Sequence, residues 1–129
     1  MTGRIIPGLD KIRKDLANTK TKKLLDFQIG TISGNLRAII AAEDMEFKSG
    51  DIKSIEIQKI PIPANYVCFL SGYGSNRYGH AIAVNEDIPL PLSMDREAVN
   101  SMFAAAQNCE IKKDDLLGVL ILLPVELKY

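Results

Sequence analysis

From Leu24 onward the hydrophobic and polar positions read as a succession of short strands. Leu25, Phe27 and Ile29 alternate with Asp26 and Gln28 and stop at Gly30, the period-2 pattern of a half-buried strand. Turn residues over 31–35 lead into an apolar run over 36–42 broken only by Arg37, which predicts a second strand. Met45, Glu46 and Phe47 alternate again, and Lys48-Ser49-Gly50-Asp51 makes a compact turn. Beyond it Ile52, Ile55, Ile57 and Ile60 predict another strand, in which Pro61 and Pro63, lacking amide donors, exclude a central paired position. The unbroken apolarity of Tyr66 to Leu70 suits a strand buried on both faces. Ala81 to Val84 is a further short strand, and Ile88-Pro89-Leu90-Pro91-Leu92 suggests an extended edge.

Eight consecutive residues from Leu116 to Leu123 are apolar or glycine, too few to span a bilayer and bounded by turn signals. This predicts a central core strand that needs cover on both faces, with a subunit contact as the alternative cover.

Two stretches depart from the strand pattern. Leu9, Ile12 and Leu16 stand at helical spacing among charged residues, which predicts a short amphipathic helix over 9–17 that would be marginal without docking. Ser93 or Asp95 could cap a second helix, because Ala98, Val99, Met102, Phe103 and Ala106 recur at helical spacing; an irregular strand through Val99 to Ala105 is the alternative. Phe47 to Ile52 also echoes Ile111 to Leu116, each a polar turn entering a strand, but the echo is too short to establish a repeat.

Composition narrows the picture. A chain of 129 residues, 47% hydrophobic and 25% charged, has the length of one compact domain with its own core. Sixteen basic and sixteen acidic residues cancel, so no whole-chain field draws nucleic acid or an anionic membrane. Residues 1–26 nevertheless hold seven Lys/Arg against three Asp/Glu, leaving nine against thirteen for the remainder. The expected organisation is a basic, partly helical N-terminal arm over 1–23 and a single β-rich domain over 24–129. Two cysteines in different settings suit unpaired thiols in a reducing cytosol, and no secretory signal opens the chain, so a cytoplasmic location is expected.

Short segments in a shared order carry a family resemblance over roughly Ile29 to Val125: Ile29-Gly30-Thr31-Ile32-Ser33-Gly34, Ala42-Glu43-Asp44 with Lys48-Ser49-Gly50, Ile60-Pro61-Ile62-Pro63-Ala64, Gly79-His80-Ala81 and Asp115 to Leu120. In these the chain resembles the archaeal family catalogued as domain of unknown function 22. The resemblance implies an archaeal source and a mainly β domain, assigns no function, and leaves the arm before Leu24 outside it. The layout of Ala42-Glu43-Asp44, Ser49-Gly50-Asp51, Ile62-Pro63 and the later loop is also similar to β-clip folds such as the trimeric dUTP pyrophosphatases. Arg77 follows Ser75 instead of preceding a serine pair, and no phosphate-binding tail closes the sequence, so this second likeness implies shape and not chemistry.

The candidate chemistry centres on the loop from Ser71 to His80, which holds Gly72, Gly74 and Gly79, two tyrosines and the only histidine. Arg77 could grip a carboxylate or phosphate while Tyr73 or Tyr78 stacks. The loop is neither a dinucleotide fingerprint nor a Walker loop, since no Gly-Lys-Ser/Thr follows and no helix is signalled. His80 is the one imidazole for acid–base work, though a lone histidine before an apolar strand is more often a hydrogen-bonded structural residue. Glu43-Asp44, Glu86-Asp87 and Asp114-Asp115 could hold magnesium if two pairs converged, but turn chemistry alone accounts for them. No Cys-x-x-Cys or His-x-x-x-His spacing occurs, so neither a metal nor a cofactor is expected.

The sequence thus predicts a mainly β small barrel or sandwich, β-clip-like in layout, with a short N-terminal helix and one inserted short helix. It predicts a homo-oligomer acting as a non-enzymatic small-ligand-binding or assembly module, with Tyr73, Arg77, Tyr78, His80, Asp44 and Asp87 as ligand candidates for a small anion. The rival expectation is a small-molecule enzyme of hydrolase or lyase type with a site around His80 where subunits meet.

Overall fold

A computed structural model of the chain describes residues 25–73, 76–126 and 128. Nine strands follow one another: β1 (Leu25–Ile29), β2 (Ile32–Ile40), β3 (Met45–Phe47), β4 (Ile52–Ile62), β5 (Tyr66–Leu70), β6 (Gly79–Asn85), β7 (Arg96–Ala105), β8 (Cys109–Ile111) and β9 (Leu116–Pro124). They form an antiparallel sheet of order β1-β2-β9-β5, a second of order β4-β7-β6, and the small pair β3-β8. The larger sheets face each other across one core, where Ile39, Leu120 and Leu122 of the first and Ile55, Ile57 and Phe103 of the second are buried. The sheets are open, ending at β1, β5, β4 and β6, so the mainly β expectation resolves into a sandwich and not a closed barrel.

The strand expected first is present, but its apolar side faces the other way. Opposed residues of an antiparallel pair share a face, and the core lies under Leu120 and Leu122, which pair with Arg37 and Asn35. Asn35 pairs in turn with Asp26, and its Nδ2 donates to the Asp26 carboxylate at 2.6 Å. The inner side of β1 therefore carries Asp26 and Gln28. Leu25, Phe27 and Ile29 stand on the outer face, with Leu36 and Ala38 of β2, Val119, Ile121 and Leu123 of β9, and Val67 and Phe69 of β5. Gly34 belongs here because the Phe27 ring lies across it: a Cβ at Gly34 would come within 2.2 Å of that ring.

Leu116 to Leu123 forms the central strand, flanked by β2 and β5, as its apolarity predicts. Tyr66 to Leu70 does not have both faces buried: β5 is an edge strand and Phe69 is 54% exposed. Pro61 and Ile62 close β4, which is itself an edge, consistent with the lost amide donor. The proline-rich segment over 88–92 forms no strand.

The helix expected after Ser93 is replaced by β7. Ala98, Ser101, Phe103 and Ala105 are its buried residues, and the three-residue step from Ala98 to Ser101 imitates helical spacing. That step sits beside a register slip between Glu56 and Ile60 of β4, where Ile57 leaves β7 and bridges Ala41 of the other sheet. The Ser101 hydroxyl, the one buried polar side chain among the described residues, donates to the Ala83 carbonyl at 2.9 Å. The helix expected over 9–17 lies outside the described residues, as does the whole arm.

The faint sequence echo marks a structural repeat. Ala41 N–H donates to Asp115 O and Ala105 N–H to Asp51 O, both at 2.9 Å, and each bond recurs 64 residues on, 41 becoming 105 and 51 becoming 115. Asp114 N–H to Ala41 O and Gly50 N–H to Ala105 O repeat the relation at 2.8 Å. β2-β3-β4 therefore corresponds to β7-β8-β9 about a local two-fold through the Glu46–Glu110 pair. The units are interlocked, since β2 pairs with β9 and β7 with β4. Ile55 opposite Ser101 then matches Leu120 opposite Arg37, once one extra residue, Leu117, is allowed at the bulge in β9.

Candidate functional site

The glycine-rich loop crosses from β5 to β6. Gly79 is required by close approach, because a Cβ there would lie 2.1 Å from the Ala104 carbonyl oxygen. The Asn76 side chain accepts the Tyr78 N–H at 2.8 Å and donates to Leu116 O at 3.0 Å, tying the loop to β9. Tyr78 packs against the core, and its carbonyl accepts the Ala106 N–H at 2.7 Å. Arg77 is exposed, with its guanidinium 5.0 Å from the Tyr78 ring centre, and Tyr73 is 51% exposed. His80 pairs with Ala104; next to the inward Ala81, it stands on the outer side of its sheet. Arg77, Tyr78 and His80 are neighbours in the chain, and none of them lines the cleft between the sheets.

The acidic pairs serve turns. Asp44 accepts the Lys113 N–H at 2.7 Å, Glu43 the Glu56 N–H at 2.8 Å and Asp115 the Lys112 N–H at 2.9 Å. Asp87 is exposed in the segment after β6, far along the chain from these corners. Among the described residues no three His, Cys, Asp or Glu side chains come together to hold a metal ion. The Glu43-Asp44 and Asp114-Asp115 turns meet at one corner, joined by the Asp44 bond to Lys113 N–H and by the Asp114 N–H donating to Ala41 O.

A cleft of about 380 Å³ opens instead between the neighbouring edges of the two sheets. Cys68 of β5, Val84 and Asn85 of β6, Glu86 and Pro89 of the following segment, and Arg96 of β7 line it, with Ile62 and Ala98 beneath. The walls are held from both sides. Ala64 N–H donates to the Asp95 carboxylate at 2.9 Å, Asn65 N–H to Leu92 O at 2.8 Å, and Leu90 N–H to the Glu86 carboxylate at 3.3 Å.

Arg96 is the fixed charge of this cleft. Its Nη2 donates to the Tyr66 carbonyl, while its Nε is buried in the wall without a hydrogen-bond partner. A guanidinium has five N–H donors, so the bond to Tyr66 leaves its terminal donors under-used. Glu86 brings the opposite charge, and both act on Cys68: burial pushes the thiol up, Arg96 pulls it down and Glu86 pushes it up again. The net direction is upward, so Cys68 contributes to the wall as a neutral thiol and not as a thiolate nucleophile.

Of the residues singled out from sequence, Glu86 reaches this cleft through its acidic pair and Cys68 as one of the two unpaired thiols. Arg96 carried no signal, since a lone arginine at the start of an expected helix looks like a solvated charge. Among the described residues no helix is long and apolar enough to cross a membrane.

Comparison with known proteins agrees with the resemblance seen in the sequence and shifts its limits. The family described as "Domain of unknown function DUF22" matches residues 3–109, so the match takes in most of the basic arm and stops before β9. An uncharacterized protein of the archaeon Methanocaldococcus jannaschii is 41% identical over 126 residues, covering 98% of this chain and 95% of that protein. No solved structure matches the chain. The shared extent of chain and motifs places this protein in the DUF22 family.

Proposed function

We propose that this chain is a non-enzymatic binding module for a small anionic molecule, held in the cleft between β5, β6 and β7. The supporting observation is Arg96: a guanidinium held in place by the Tyr66 carbonyl, with its Nε buried and unpartnered, on a residue that lines the cleft. A donor already fixed in place loses little conformational freedom on binding, which favours affinity. The cleft volume falls within the range of small-molecule sites, roughly 300–1,000 Å³. Ile62, Val84, Pro89 and Ala98 would take an apolar body, Arg96 a carboxylate or phosphate, and Glu86 a hydrogen-bond donor of the same molecule.

The reading is tested by thermal shift with a panel of short-chain carboxylates, hydroxy and amino acids, and sugar phosphates, on the native chain and on Arg96→Gln. A ligand that binds the folded state raises its apparent stability. At least one anion is expected to raise the midpoint of the native chain, with at least tenfold weaker binding by Arg96→Gln. Binding that is indifferent to Arg96, or a panel without a single shift, would overturn it.

A further inference from the structure

The outer face of the four-stranded sheet carries an apolar surface that no described element covers. Along β1, β2, β9 and β5 the outward positions are apolar in every strand, from Ile29 through Leu36 and Ile121 to Phe69. None of these belongs to the core of the sandwich, and Ile29 and Phe69 are 66% and 54% exposed. The polar members of the same strands, Asp26, Asn35 and Arg37, occupy the inner face. This inverts the usual arrangement of a sheet with one wet side, in which the polar residues are the outward ones.

We propose that a second copy of this chain packs on this face, outer sheet against outer sheet about a two-fold axis. An apolar face without charge can meet a copy of itself, which is what an isologous contact needs, and two such sheets stack about 10 Å apart. The basic arm, outside the described residues, is the rival cover: its Leu9, Ile12 and Leu16 offer only a narrow apolar stripe, and the face offers its seven Lys/Arg no carboxylate. Size sets the strength. Four strands at the usual spacing make a patch roughly 15 Å wide and about 17 Å long, smaller than a standard interface of about 800 Å² per partner. The pairing is therefore weak, reversible and concentration-dependent.

Sedimentation velocity on the full chain, from about 1 to several hundred micromolar, tests this. The native protein is expected to pass from monomer to dimer across the series. Phe69→Lys is expected to weaken dimerisation at least tenfold, and Ile82→Lys, exposed on the other sheet, to leave it unchanged. Should circular dichroism show Phe69→Lys to be unfolded, Ile29→Lys at the tip of β1 carries the same test. A monomer at every concentration overturns the proposal, and protection of the face from hydrogen exchange in that monomer would assign the cover to the arm. A dimer that survives both lysine variants overturns it equally, since the contact would lie elsewhere.

Discussion

Asp51 and Asp115 close the same corner in the two halves of the fold. The Asp51 carboxylate accepts the Lys48 N–H at 2.8 Å and its own N–H returns to Lys48 O at 2.9 Å; Asp115 does the same with Lys112 at 2.9 and 3.0 Å. Each corner turns a three-residue strand into a long one, β3 into β4 and β8 into β9. The carbonyls of the two aspartates then accept N–H bonds from the opposite units, at Ala105 and Ala41. A short turn thereby joins the two halves as well as ending a strand.

Removing either carboxylate should loosen both its own corner and the join. Asp51→Ala and Asp115→Ala are each expected to cost about 1 kcal/mol, the net worth of a side-chain bond to a backbone amide. Chemical denaturation of the two variants would show comparable losses if the corners are equivalent. One intact and one strongly unfolded variant would contradict the symmetry.

The third position of each corner takes a left-handed backbone, φ 90° at Gly50 and φ 77° at Asp114. A Cβ at Gly50 would meet nothing within 4 Å, so substitution there costs backbone strain alone. Gly50→Ala should lose about 1–2 kcal/mol. Gly50→Asn should lose less, because Asn and Asp tolerate this region and Asp114 already occupies it in the other half. Equal losses for the two substitutions would reject this account.

Gly79 tests the reading of the opening loop as a packed crossing. A Cβ there would come within 2.1 Å of Ala104 O and 2.9 Å of the Ala105 Cα, and backbone cannot step aside cheaply. Gly79→Ala is expected to destabilise by about 3 kcal/mol, the upper range for overpacking. Gly72→Ala, with open space around it, should be near neutral. Thermal midpoints of the pair separate a glycine needed for packing from one that is dispensable.

Most strands before residue 86, and the central place of Leu116 to Leu123, were legible because alternation and unbroken apolarity are local signals. Which side of β1 faces the core was not, since alternation states that two faces differ and not which of them is covered. Ala98 to Ala106 misled for a related reason: a register slip opposite Ile57 produces a three-residue step that local spacing cannot distinguish from a helix. The internal repeat was hidden because backbone bonds at Ala41 and Ala105, not matching side chains, carry it. Arg96 enters the cleft only through the meeting of β5, β6 and β7, a juxtaposition that no stretch of sequence contains.

Ser101 replaces an apolar residue at a fully buried position, and its bond to Ala83 O lies where β6 slips register between Ala81 and Ala83. Ser101→Ala should cost about 1 kcal/mol by withdrawing a donor from a buried carbonyl. Ser101→Val adds volume next to Phe103 without restoring the donor and should cost more. A Val variant as stable as the native chain would mean that the hydroxyl is dispensable and the site has room to spare.

The thiols give the fold a pH dependence of fixed sign. Burial raises both Cys68 and Cys109 above the ordinary value of 9.0, so the folded chain holds these protons more tightly than the unfolded one. Below that ordinary value both states keep the thiol protonated, and the contribution to stability is fully present. As pH rises through it, the unfolded chain ionises first and gains relative stability, and the loss continues until the folded thiols ionise as well. Denaturation midpoints should therefore fall as pH rises through the ordinary thiol value of 9.0. Replacing both cysteines by alanine removes this component, while lysines and tyrosines titrate alike in the two proteins. The difference between native and double-variant midpoints should thus shrink as pH rises; a difference independent of pH would mean that the thiols ionise equally well folded and unfolded.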